Sequence, residues 1–115
     1  MSFETSLFAV LEATVGKAYP DTAPLSTPKP YATYQFIGGF VINQLNNQLS
    51  GKKNAEVQVN VWAATRQQAN DLARTVEAAM RAQLNAKPFG AFIGDQEPDL
   101  GLYGTRQSFS CWYDA

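Results

Sequence analysis

Apolar residues recur at intervals of three and four positions near the start of the chain. Over Phe3–Val15 these positions place the apolar side chains on one face of a helix, and they are Phe3, Leu7, Phe8, Leu11 and Val15. Ser2 is a suitable N-cap, and Gly16 can adopt the left-handed conformation that ends a helix. The pattern therefore predicts a first helix with one buried face.

A second helical pattern begins after Thr65, whose hydroxyl can cap the helix while Gln68 reaches back as in a capping box. The predicted inward stripe is Ala69, Leu72, Ala73, Val76, Met80 and Leu84. The predicted outer side carries charged residues, Arg66, Arg74, Glu77 and Arg81. The two alanines on the inward stripe indicate close packing of this helix on a sheet.

Strict alternation marks two strands. In the first of these, Val57, Val59 and Val61 share one face, and the opposite face carries Gln58, Asn60 and Trp62. In a closing strand over residues 103–113, Phe109 and Cys111 alternate with Ser108, Ser110 and Trp112. The apolar set of each strand is expected to face the core, which leaves a polar face with two tryptophans.

The other segments are assigned by their turn and breaker residues. Residues 17–30 contain four prolines and predict an extended connector. Residues 31–37 predict a strand, and Gly38-Gly39 predicts a bend or bulge before a further strand at 40–44. Polar residues 43–54, with Lys52 and Lys53 beside Ser50-Gly51, predict a long hairpin tip. Residues 89–93 predict a short strand, and residues 95–101 predict a loop.

This succession of elements predicts an α+β fold with two helices packed on one face of a mainly antiparallel sheet of four to five strands. The length of 115 residues fits a single domain, residues 1–115.

Composition narrows the possible functions. Nine Lys and Arg against ten Asp and Glu give a net charge of −1, which offers no field for sequence-specific nucleic-acid binding. No apolar run approaches the roughly 18 residues of a membrane span, and the N-terminus has no basic leader pattern. Cys111 is the one cysteine of the sequence, and an inert buried thiol is the favoured interpretation. We therefore expect synthesis in a reducing cytoplasm and no membrane association.

The sequence contains no histidine, so the commonest general base and metal ligand is absent, and we expect no enzymatic activity and no cofactor. Asp95, Glu97 and Asp99 could offer carboxylates to a hard cation, but a solvated turn is favoured. Lys52 and Lys53 are interpreted as a solvated turn, with an acidic protein partner as the next option. For the two tryptophans, core and interface are equally favoured.

Four segments together resemble the tail completion, or tail terminator, family of long-tailed phages. They are Pro-Tyr-Ala-Thr-Tyr-Gln at 30–35, Val-Gln-Val-Asn-Val-Trp-Ala-Ala-Thr at 57–65, Ala-Asn-Asp-Leu-Ala-Arg-Thr-Val-Glu at 69–77 and Arg-Gln-Ser-Phe-Ser-Cys-Trp-Tyr at 106–113. The resemblance implies a ring, expected to be a hexamer, that caps the tail tube, stops its polymerisation and binds a head-completion or connector protein. It implies a place at the head–tail interface of the virion, with DNA passing through the ring, and it carries over no catalytic residues.

The residues proposed for self-association or partner binding come from the polar face and from the two predicted loops. They are Gln58, Asn60, Trp62, Ser108, Ser110, Trp112, Asn47, Gln48, Lys52, Lys53, Asp95, Glu97 and Asp99. The alternatives are another neck protein such as a head-completion protein, a tail tube subunit and, ranked lower, a small ligand- or metal-binding module.

Overall fold

The computed structural model describes residues 2–39 and 52–114, apart from the side chain of Asp99. Its elements in chain order are α1 (Phe3–Val15), β1 (Ala18–Pro20), β2 (Tyr31–Gly38), β3 (Lys52–Ala63), α2 (Arg66–Leu84), β4 (Lys87–Pro88), β5 (Ile93–Glu97), a 3₁₀ helix (Pro98–Leu100) and β6 (Leu102–Asp114). The strands form one sheet in the order β1-β2-β3-β6, and β4 and β5 both pair with the far side of β6.

The first helix begins and ends, and the second helix begins, where their sequences predict. The Ser2 hydroxyl accepts a hydrogen bond from the Thr5 amide at 3.1 Å, and Gly16 ends α1 with a φ of 107°. The Thr65 hydroxyl accepts from the Gln68 amide at 3.1 Å. The Gln68 side chain reaches back one residue further than a capping box requires, to the Ala64 amide at 3.4 Å.

The two helices pack on the valine face of the sheet. Val57, Val59 and Val61 are buried in one cluster with the inward faces of α1 and α2. Phe109 lies opposite Val57 in the β3–β6 register and is fully buried. The predicted core residues of β3 and β6 are therefore confirmed, and the other face of the sheet is left without a helix in the described part of the chain.

The sheet has six strands and is mixed, so the prediction of four to five mainly antiparallel strands is only partly met. The additional strand on one side is β1, which lies within the proline-rich segment and pairs parallel to β2 through Ala18 and Ala32. A proline is tolerated there because an edge strand needs hydrogen-bond partners on only one side. The bulge at the glycine pair is confirmed, since the β2–β3 register shifts between Phe36 and Gly38.

Three local predictions were wrong. Residues 52–54 are not part of a turn, because Lys52 already pairs with Asp114 in the β3–β6 ladder. The short strand predicted at 89–93 is replaced by β4 before it and β5 after it. The loop predicted at 95–101 is a strand as far as Glu97, followed by the 3₁₀ helix. The strand predicted at 40–44 and most of the predicted hairpin tip lie outside the described residues.

Candidate interaction surface

The face of the sheet opposite the helices is the first candidate surface, and we call it the open face. The β3–β6 register pairs Gln58 with Ser108 and Trp62 with Gly104. Because side chains alternate along each strand, all six predicted polar-face residues lie on this side: Gln58, Asn60, Trp62, Ser108, Ser110 and Trp112. The structure thus brings these six residues onto one face, as the alternation predicts, and their role in binding stays a prediction.

Trp62 lies flat against its cross-strand neighbour. A Cβ atom added to Gly104 would stand 2.6 Å from both Cε3 and Cζ3 of the Trp62 indole. Only a glycine leaves room for the ring, and the ring in turn covers a strand position that has no side chain. Trp62 is half-buried by this contact, so it belongs to the open face and not to the core.

Trp112 is the more accessible of the two tryptophans, with 45% of its surface exposed. It lies opposite Asn54, whose side-chain amide donates to the Ser110 hydroxyl at 3.0 Å and to the Cys111 carbonyl at 3.3 Å. These hydrogen bonds fix the polar side chains next to the indole. An amphipathic ring on a polar surface is typical of a protein–protein contact.

The acidic residues do not form a loop site. Asp95 and Glu97 lie in β5, in register with Gly104 and Leu102, and so lie on the open face side of the sheet. The Asp95 carboxylate accepts a hydrogen bond from the Gln96 amide at 2.9 Å. Asp99 belongs to the 3₁₀ helix, and its side chain is outside the described part. Among the described residues no group of three or more His, Cys, Asp or Glu could hold a metal ion.

The predicted basic tip is divided between two environments. Lys52 forms an ion pair with Asp114 at 2.6 Å, on the last rung of the β3–β6 ladder, and both side chains are exposed. Lys53 is the register partner of Tyr113. An exposed pair of this kind contributes little to stability, about 0–1 kcal/mol. Asn47 and Gln48 lie outside the described residues.

Arg66 was wrongly assigned to the outer side of α2. Its guanidinium donates to the Gly104 carbonyl at 2.7 Å and to the Asp95 carbonyl, and it lies over the Tyr103 ring at 5.6 Å. It therefore ties the start of α2 to β5 and β6. A sequence pattern could not show this, because an arginine at the first turn of a helix is ordinarily solvated.

A buried glutamine shapes the sheet margin between β4 and β5. The Gln107 side-chain amide donates to Glu77 Oε1 at 2.8 Å and to the Gly90 carbonyl at 2.7 Å. The Phe89 amide donates to the Ser108 carbonyl of β6 at 3.0 Å. Beyond this bond the side chains of Phe89 and Ile93 are 58% and 56% exposed. They flank an open cleft of about 320 Å³. We call Lys87, Phe89 and Ile93 the β4–β5 margin, and no sequence pattern predicts it.

The opposite margin of the sheet is also apolar. Phe36 and Ile37 of β2 are 44% and 41% exposed, and with Gly38 we call them the β2 margin. Phe36 packs edge-on against Phe3, which stacks on Tyr113 with ring centroids 4.6 Å apart.

Two further groups, the Tyr34 hydroxyl and the Cys111 thiol, stay protonated at neutral pH. The Tyr34 hydroxyl donates to Glu4 at 3.0 Å, and burial and this carboxylate raise the pKa of Tyr34 to about 12. It therefore stays protonated and keeps donating well above neutral pH. Burial raises the pKa of the Cys111 thiol to about 11. The thiol is fully buried and protonated at neutral pH, as expected for an inert cysteine.

Comparison with known families decides the assignment. The model of the family described as tail completion protein gp17 matches residues 7–114, nearly the whole chain. The chain belongs to this tail completion family. No individual curated protein is similar enough in sequence to count as a match.

Membership of the tail completion family makes the protein a structural component of phage tail assembly, located in the virion tail and interacting with other tail or head proteins. Families of this kind are generally non-enzymatic. Within the described residues, no helix is long and apolar enough to cross a membrane.

Truncation of Trp112 tests the open face of this family member. Trp112→Ala is expected to weaken association with itself or with a tail partner by about 2 kcal/mol or more, as at interface hot spots. The melting temperature of the monomer should change by no more than a few degrees, because the ring is already 45% exposed. Trp62→Ala is the comparison variant. It should weaken association and also lower the melting temperature of the monomer, since the Trp62 indole packs on Gly104. Unchanged association of Trp112→Ala with all partners would remove the open face from the candidate surfaces.

Proposed function

We propose that the protein closes into a ring, expected to be a hexamer, at the head-proximal end of the phage tail. There it caps the tail tube, ends tube polymerisation and presents its outer end to a head-completion or connector protein. The family assignment supports a role in tail completion. The observation that carries the ring is the pair of exposed apolar margins on opposite sides of one sheet.

A closed ring needs two different surfaces on every subunit, because each copy contacts its neighbours head to tail. The β2 margin and the β4–β5 margin meet this requirement, since they lie at opposite sides of the sheet and are built from different residues. A chain of 115 residues has a high ratio of surface to volume, so apolar burial between copies would also stabilise it.

The two ends of the sheet differ, as a joint between two partners requires. One end carries the exposed Lys52–Asp114 pair. At the other end, Leu25 and Leu100 flank a cleft of about 430 Å³, and Lys29 bridges to the Gly101 carbonyl at 3.2 Å. A charged end and an apolar end can bind two chemically different proteins.

DNA passage is also compatible with the charge of the protein. The net charge of −1 gives the chain no general attraction for phosphate. If the open face lines the channel, Asp95 and Glu97 would keep DNA from adhering to the wall, because both lie on that side of the sheet.

Sedimentation of the purified protein tests the ring. We expect a concentration-dependent species with a mass of several subunits, seen as rings by electron microscopy, and the same mass with or without Mg²⁺ or Ca²⁺. Disruption of the gene in its phage should leave filled heads separated from tails, or tails of uncontrolled length. A protein that stays monomeric at all concentrations and is stabilised by a divalent cation would contradict the proposal in favour of the ligand-binding module.

A further inference from the structure

We propose that neighbouring copies in the ring contact each other through the margins of their sheets. The β2 margin of one copy packs against the β4–β5 margin of the next, at the same height along the strands. This inference rests on the proposed ring. It specifies which residues meet, with Ile37 entering the cleft flanked by Phe89 and Ile93, and Glu56 approaching Lys87.

The sheet register places the two margins at the same level along the strands. Phe36 pairs with Val57, Val57 pairs with Phe109, and Phe109 pairs with Pro88. The next row runs from Gly38 through Glu56 and Ser110 to Lys87. One row of residues thus leads from the exposed end of β2 directly across to β4.

Rotation about a ring axis moves each subunit sideways without raising or lowering it. With the strands along the axis, residues that meet across a subunit contact must therefore lie at the same level on the two margins. The strand β1 pairs with β2 at Ala32, Thr33 and Tyr34. Among residues 2–39 and 52–114, β2 is therefore the outermost strand from Gln35 to Gly38. The exposed stretch of β2 faces outward at the level of β4 and the start of the β4–β5 cleft.

The two margins are complementary in shape and polarity. On one side Ile37 projects at the bulge, 41% exposed. On the other side lies the cleft of about 320 Å³. Phe89, Ala91 and Ile93 give it an apolar outer wall, and Gln58, Arg106 and Ser108 line it toward the open face. Burying one Ile or Phe side chain that is exposed in the monomer is the kind of anchor that dominates a small interface.

Charge favours the same pairing. Glu56 lies one strand inside the β2 margin, and its neighbour at the margin, Gly38, has no side chain to cover it. Lys87 lies exposed in the same row on the opposite margin. Neither residue forms an ion pair within residues 2–39 and 52–114. Side-by-side copies bring the two opposite charges to one level, where they attract and set the register of the contact.

The other exposed apolar residues do not have this arrangement. Leu25 and Leu100 flank the same cleft at one end of the sheet, and Trp112 lies on the open face. Leu25 and Leu100 lie outside the strand ladders and Trp112 lies on the open face, so none of the three belongs to either margin. They suit a tail or head partner better than a neighbouring subunit.

A mixture of two variants, each with one of the two margins disrupted, tests the contact. Ile37→Asp and Phe89→Asp should each sediment as monomers at a concentration where the parent forms rings, with association weakened at least tenfold. An equimolar mixture should form heterodimers and stop, because one variant keeps an intact β4–β5 margin and the other an intact β2 margin. Leu25→Asp is the matched control: its side chain is 91% exposed, and its rings should be unaffected.

A charge exchange tests the register of the contact separately. Glu56→Lys and Lys87→Glu should each weaken the ring, and the two substitutions in one chain should restore it. Rings formed normally by Ile37→Asp and Phe89→Asp would overturn the proposed contact while leaving the ring itself in place. A parent protein that forms no ring would instead defeat the proposed function. Melting temperatures near that of the parent identify variants that still fold.

Discussion

Phe109→Ala is expected to lower the free energy of unfolding by about 3–5 kcal/mol, the usual cost of truncating a fully buried phenylalanine. Phe109 is 0% exposed and lies in register with Val57 on one side and Pro88 on the other. Its removal would leave a cavity where β3, β4 and β6 meet the helices. Urea denaturation of the monomer, followed by circular dichroism, would measure the loss.

Phe89→Ala removes the same atoms at a site 58% exposed and is the matched control. We expect it to change the free energy of unfolding by less than about 1 kcal/mol, because little packing is lost, and to weaken ring formation. The free energies of unfolding should be measured in an Ile37→Asp background, so that unfolding is not coupled to association, and ring formation should be measured without that substitution. Similar losses for both variants would contradict the assignment of Phe109 to the core and of Phe89 to a surface margin.

Arg66→Ala is expected to destabilise the protein by about 2–3 kcal/mol, the range for hydrogen bonds from a charged donor to partly buried acceptors. The substitution leaves the carbonyls of Gly104 and Asp95 without the guanidinium that joins them. The amide protons of β5 should exchange faster than those of β3, because β5 has no strand on its outer side within the described residues. Hydrogen exchange by mass spectrometry measures both rates.

Arg74→Ala is the control on the same helix. Arg74 is exposed, forms an ion pair with Asp71 at 3.3 Å and lies over the Phe92 ring at 5.7 Å. Its loss should cost about 0.5–1 kcal/mol. Arg66→Lys should recover part of the stability at most, since an ammonium cannot donate to two divergent carbonyls as the guanidinium does. If Arg66→Ala and Arg74→Ala behave alike, Arg66 does not order β5.

Loss of β5 order also bears on assembly. Ile93, the first residue of β5, flanks the cleft in which we place Ile37 of the neighbouring copy. We therefore expect the Arg66 variant to form rings less readily, although Arg66 itself does not line the cleft.

The helices and the central strand pair were predictable from the sequence because their signals are local. Leu7 and Leu11 share a face through helical spacing, Thr65 caps α2 through its own hydroxyl, and the valines of β3 alternate at a period of two. The same alternation placed Trp62 and Trp112 on the face opposite the valines. The positions of these side chains are set by residues only a few places away in the sequence. They can therefore be predicted without knowing how the rest of the chain folds.

Only the tertiary structure decided the margins of the sheet and what lies on them. β1 forms because Ala18 meets Ala32, β5 is a strand because Gly104 and Arg106 lie beside it, and neither segment has a strand pattern of its own. Arg66 and Gln107 act on carbonyls 38 and 17 residues away. Short edge strands take their conformation from partners distant in sequence, since their few residues bury too little surface to hold it alone. The core and the tryptophan-bearing face of this protein follow from local pattern, whereas the two margins on which the proposed ring depends follow from long-range pairing.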